Sequence, residues 1–171
     1  VEVWSPAPRE DWETASLQWK EQMRILTHYP VKIGCKPTGG EYTIIVDALF
    51  GVGLSRELAG HYARAVERCN GMDGFKLALD LPSGIHTDTG AVMGCAFRAD
   101  VTVTFGFVKR GLVLYPGCEY AGELVQAQVG ITERSFYGRL PGMFCYDEAV
   151  RELLPSRKGA GNKGDFGKVL L

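Results

Sequence analysis

The chain has 171 residues, 46% of them hydrophobic, with 19 basic and 20 acidic side chains and a formal net charge of −1. That length and apolar content suit one globular domain with a real core. The balanced charge removes any bulk reason to bind nucleic acid or an anionic membrane, and no apolar run approaches the roughly 20 residues that cross a bilayer.

The chain opens on Val1 in a strand-like alternation, VEVW. Trp12, Ala15, Trp19, Met23 and Leu26 then share one helical face, so a helix is predicted over 11–26, with Glu10, Asp11 and Glu13 near its first turn where the dipole favours acids. The β-branched run 42–46 reads as a strand. Leu58, Tyr62, Ala65, Val66 and Cys69 repeat with helical period, and Asn70-Gly71 supplies a stop. Further strands are predicted over 75–81 and 101–105, and an edge strand over 123–129 after the turn-forming Pro116-Gly117. Residues 155–167 crowd Ser, Arg, Lys, Gly and Asn into a basic linker, and KVLL (168–171) looks like a strand just begun. Strands alternating with helices predict an α/β fold with a mostly parallel sheet, right-handed crossovers and helices on both faces.

Five cysteines (35, 69, 95, 118 and 145) lie 23 to 34 residues apart with no CxxC and no paired histidine spacing. An odd, widely spaced set suggests neither zinc nor a redox dithiol and fits a cytoplasmic protein with reduced thiols. The start has no basic n-region followed by an apolar h-region, and both ends read as cuts from a longer protein.

Two strands end in an acid and a bending loop. In the first, Asp47-Ala-Leu-Phe-Gly-Val-Gly-Leu-Ser-Arg-Glu57, Gly51 and Gly53 let the backbone approach a ligand. Ser55, Arg56 and the N–H groups of the following helix would suit a pyrophosphate. Arg56 stands where a GxGxxG fingerprint needs its third glycine, so a plain βα turn remains open. In the second, Asp80-Leu-Pro-Ser-Gly, a neighbouring strand delivers another carboxylate to the same edge. Asp47 and Asp80 in one cleft would repel, so a proton or a cation should intervene. A site of one carboxylate, Ser83 Oγ and carbonyls suits a monovalent ion. The alternative is that each Asp merely caps its own loop. Lys109, after the strand 101–105, brings a positive charge to this edge. His86 lies beside the acid loop, whereas His28 and His61 read as surface or packing residues.

VDALFGVGLSREL, LALDLPSG and ADVTVTFGFVKRGLVLYPGCEYAGELVQAQVGI together resemble the NAD(P)H-hydrate epimerase domain. LLPSRKGAGNKGDFGKVLL resembles the opening of the ADP-dependent dehydratase domain that follows it in bifunctional repair enzymes. The resemblance implies a Rossmann-like three-layer domain, its N-terminal part missing, over residues 1–150, with a linker and first dehydratase strand over 151–171. It implies epimerisation of hydrated NADH or NADPH, NAD(P)HX, a small-molecule substrate whose S form the dehydratase restores using ADP or ATP.

By motif, Asp47 and Ser83 resemble potassium ligands. Gly51, Val52, Gly53, Leu54, Ser55, Arg56 and Glu57 resemble the substrate-binding loop, and Asp80 a substrate-contacting acid. Asp80 is the expected acid–base group and Lys109 an electrostatic helper near the acid or the substrate phosphate. The family's Asn-Asn-Gly-Gly-Asp loop has no counterpart here and is expected upstream of Val1. Asn162 replaces the usual His, and almost none of the dehydratase domain is present, so dehydratase activity is not expected in this chain and epimerase activity is expected to be weak. Such domains are often dimeric, which leaves a homo-oligomer open. The rival reading is a nucleotide- or RNA-binding interaction module, as in the related domains of mRNA-decapping scaffolds. The near-neutral charge speaks against RNA.

Overall fold

A computed structural model describes residues 1–139, 142–143 and 152 of the chain. The first expectation it alters is the long N-terminal helix. Arg9–Thr14 instead forms a 3-10 turn, and α1 spans Leu17–Leu26. The break is Ser16, whose extended backbone ends one turn and whose hydroxyl accepts from the Trp19 N–H at 3.2 Å, capping the next. Trp12 and Trp19 still meet edge to face, 5.3 Å apart. The strand-like start is β1, Glu2–Trp4. It pairs in parallel with β2, Lys32–Gly34, a short strand with no expectation attached, to make a two-stranded sheet.

The other sheet contains β3 (Ile44–Asp47), β4 (Phe75–Leu79), β5 (Val101–Phe105) and β6 (Glu123–Ala127), all parallel and in the order β3-β4-β5-β6. Strand order therefore never reverses within it. The segments between these strands pack on one of its faces, in place of the helices expected on both.

That face carries the core. α2 (Gly60–Asn70) presents Val66 to Ile45, Leu54, Leu58, Ala78 and Phe97, and α3 (Cys118–Ala121) presents Ala121 to Leu81, Ile85, Ala96 and Leu112. Register aligns Asp47 with Ala78 and Ala78 with Thr102, all buried on this side. The alternate positions point the other way, where Ile44, Val46, Phe75 and Val125 stay 42 to 56% exposed. Period-2 alternation thus separates a packed face from an apolar, open one.

Element ends depart from expectation for local reasons. Tyr42 precedes β3 because its hydroxyl donates to Glu2 at 2.6 Å, tying this segment back to β1. Leu58 is core but lies ahead of α2, its N–H donating to Met93 O. Gly71 follows α2 as expected, but at a right-handed φ of −84°. β4 stops at Leu79 because Asp80 takes φ 71°, and β6, an edge strand as expected, ends at Ala127.

The chain divides into two compact units, Val1–Ile131 and Thr132–Leu171. In the second, a 3-10 turn over Glu133–Phe136 is capped at Thr132, whose N–H donates to Ser135 Oγ. The expected linker 155–167, the strand 168–171, Cys145 and Asn162 lie outside the described residues.

Candidate active site

β3 ends on Asp47 with 5% of its surface exposed. The Ser83 hydroxyl donates to Oδ1 and the Ser83 N–H to Oδ2, both at 2.7 Å, and the Leu49 N–H adds a 3.2 Å bond to Oδ1. Ser83 Oγ in turn accepts from the Phe50 N–H at 3.0 Å. The two acid loops are therefore joined at their roots. Gly84, at φ 99°, completes this turn, because a Cβ there would stand 1.9 Å from the Cys95 carbonyl oxygen. Burial pushes the Asp47 carboxyl above its ordinary range, against the lowering effect of the Ser83 and Leu49 hydrogen bonds.

Asp80 has a separate partner. Lys109 Nζ lies 2.5 Å from its Oδ1, with the two side chains 16% and 17% exposed. The same ammonium donates to Phe105 O at 2.6 Å and Thr104 Oγ1 at 3.1 Å, and the Phe105 N–H reaches Asp80 Oδ1 at 3.3 Å. The other oxygen, Oδ2, faces Gly51: a Cβ built there would sit 3.2 Å from it. Asp80 thus faces the loop that Asp47 begins. The left-handed backbone that aims Asp80 is one an Asp tolerates better than most residues, and such outliers concentrate at functional sites.

Along that loop Val52, Gly53, Ser55, Arg56 and Glu57 are exposed and Gly51 is half-buried. Leu54 is buried in the core, so its side chain anchors the loop. The Thr87 hydroxyl donates to Val52 O at 3.3 Å, a second tie between the acid loops. α2 starts at Gly60, four residues past Arg56, with no side-chain cap on its N-terminus; its free N–H groups lie further along the chain than the loop reading expected. His86 turns its Nδ1 to its own loop, accepting from the Asp88 and Thr89 N–H groups.

The residue that sequence reasoning missed is Thr104. Two threonines alternating through VTVTF were a visible signal, since strand alternation puts both on one face. Both are fully buried, and only Thr104 reaches Lys109; Thr102 donates to Ala121 O.

Among the described residues no three His, Cys, Asp or Glu side chains cluster as a metal site. Asp47 and Ser83 are what the site offers a hard cation. The carboxylate has about four lone-pair positions and uses three, and the hydroxyl keeps one. The described ion pairs are Arg24–Glu21 and Lys109–Asp80, so neither supplies Asp47 with a counter-charge.

A family model described as YjeF-related protein N-terminus matches residues 5–111. Over 129 residues, 75% of this chain, the sequence is 43% identical to a bifunctional NAD(P)H-hydrate repair enzyme of Thermofilum pendens, of which the match covers 24%. It is 41% identical over 66% of the chain to an NAD(P)H-hydrate epimerase of Limosilactobacillus fermentum, covering 55% of that protein. An NAD(P)H-hydrate epimerase of Levilactobacillus brevis is 41% identical over 71% of the chain and covered to 57%. The chain spans between a quarter and somewhat over half of these relatives' lengths.

Proposed function

Since the chain belongs to the family of YjeF-related protein N-termini, we propose that its paired acid loops form part of an NAD(P)H-hydrate epimerase site, interconverting the R and S forms of NAD(P)HX. The observation that carries this reading is Asp80 held by Lys109 with its other oxygen facing Gly51 of the glycine loop. The hydroxyl of the damaged ring sits on a carbon bonded to nitrogen. Inversion there needs either the C–O or the C–N bond to break and re-form, and both routes need a group that passes a proton to and from oxygen. Asp80 Oδ2 is assigned that role. Lys109 supplies positive charge beside it, and the exposed stretch of the loop, with Ser55 and Arg56, receives the pyrophosphate.

A monovalent cation, potassium in this proposal, would be held by Asp47 and Ser83 together with loop carbonyls. The supporting observation is a buried carboxylate that pairs with no cationic side chain among the described residues. When bound, such an ion supplies positive charge near the dinucleotide. In a longer protein the S form would pass to an ADP-dependent dehydratase. The free, widely spaced thiols fit a reducing compartment, and the cytoplasm is the proposed location. Among the described residues no helix is long and apolar enough to cross a membrane.

The deciding experiment incubates the protein with a single NAD(P)HX epimer and follows the R-to-S ratio by chiral chromatography. Acceleration over the spontaneous rate, abolished by Asp80→Asn, is expected. A rate equal to the spontaneous one would favour the rival, a nucleotide-binding module without chemistry.

A further inference from the structure

We infer that Thr104 is a positioning residue: with the Phe105 carbonyl it holds the Lys109 ammonium on one oxygen of Asp80, so that Oδ2 alone is presented to the glycine loop. The catalytic meaning of this arrangement rests on the epimerase reading; the arrangement itself does not. A lysine ammonium has three N–H donors. Here they meet three acceptors, Asp80 Oδ1 at 2.5 Å, Phe105 O at 2.6 Å and Thr104 Oγ1 at 3.1 Å. No donor is left over for a substrate phosphate, so Lys109 acts through Asp80.

Oδ1 is further occupied by the Phe105 N–H at 3.3 Å. The carboxylate is thereby turned so that Oδ2 faces the position beside Gly51. Burying the Thr104 hydroxyl has a desolvation cost that an isosteric valine would avoid. The neighbouring Thr102 offsets its own cost by a structural bond to Ala121 O, whereas the Thr104 hydroxyl is directed at Lys109. The side chain at position 104 therefore bears on where the ammonium sits.

Lysine-¹⁵N-labelled protein tests this, read by the NMR signal of the Lys109 ammonium, which is sharp only when its protons are held against exchange with water. The signal is expected in the wild type and in Thr104→Ser, and lost in Thr104→Val. In the epimerisation assay, Thr104→Val should lower kcat about tenfold with KM within about twofold, and Thr104→Ser should restore it. An absent Lys109 signal in the wild type overturns the inference without recourse to a variant, which covers a valine protein that does not fold. A signal that survives in folded Thr104→Val, or a kcat unchanged there, also overturns it. If the signal behaves as expected and the wild type does not epimerise, the epimerase reading fails while the positioning role stands.

Discussion

Ser83 donates twice to Asp47, from its backbone and from its hydroxyl, both at 2.7 Å across 36 positions of chain. Nothing else described joins the roots of the two acid loops so closely. Ser83→Ala removes one of the two bonds and leaves the Phe50 N–H without its acceptor. Losing a buried partner of this kind costs about 1–3 kcal/mol. Urea denaturation should show that loss with an unchanged slope; a change under about 0.5 kcal/mol would mean the clamp is not structural.

The raised Asp47 carboxyl sets a pH and salt dependence. Burial lifts it above the ordinary value of about 3.9, so folding favours the protonated form. Its contribution to stability is full below the unfolded value, is lost as pH rises through the folded value, and stays lost above it. A bound cation stabilises only the anion. Melting temperature should therefore rise in potassium chloride over an equal concentration of tetramethylammonium chloride at about pH 8, and not at about pH 4. Asp47→Asn should erase the difference, and a potassium effect that persists in that variant would place the cation elsewhere.

Gly51 and Gly53 should separate on substitution. An alanine methyl at 51 would press on Asp80 Oδ2 from 3.2 Å, while one at 53 would meet nothing within 4 Å. Gly51→Ala should lower epimerase kcat by about tenfold or more with stability within about 1 kcal/mol of wild type, and Gly53→Ala should leave kcat within about twofold. Equal effects from the two would argue that the loop needs glycine for its backbone alone.

The sheet face bearing Ile44, Val46, Phe75 and Val125 is open and apolar. Parallel sheets are usually covered on both sides. The protein should therefore bind the dye ANS strongly, and Ile44→Thr with Val46→Thr should reduce the fluorescence by at least about half with little change in the unfolding midpoint. Dye binding indifferent to both substitutions would locate the exposed surface elsewhere.

What could be read from the chain alone was local. Apolar and β-branched runs, two of them ending in Asp, located all four strands of the larger sheet within a few residues. Glycine and proline after each acid marked the loops, and the motifs of those loops pointed to the family that residues 5–111 match. The helix broken at Ser16 escaped notice because apolar periodicity continued across the break while one hydroxyl chose a new start. Strand β2 escaped because three residues carry too little pattern to register.

The pairing of functional groups was decided by the tertiary structure. Lys109 was expected near the acid or a phosphate; it reaches Asp80 across 29 positions because β4 and β5 lie side by side. Thr104 enters the site for the same reason, through strand register. Periodicity and turn chemistry act between near neighbours and are written in the order of residues. Which oxygen meets which donor depends on how strands align, and that alignment is fixed only when the whole sheet packs.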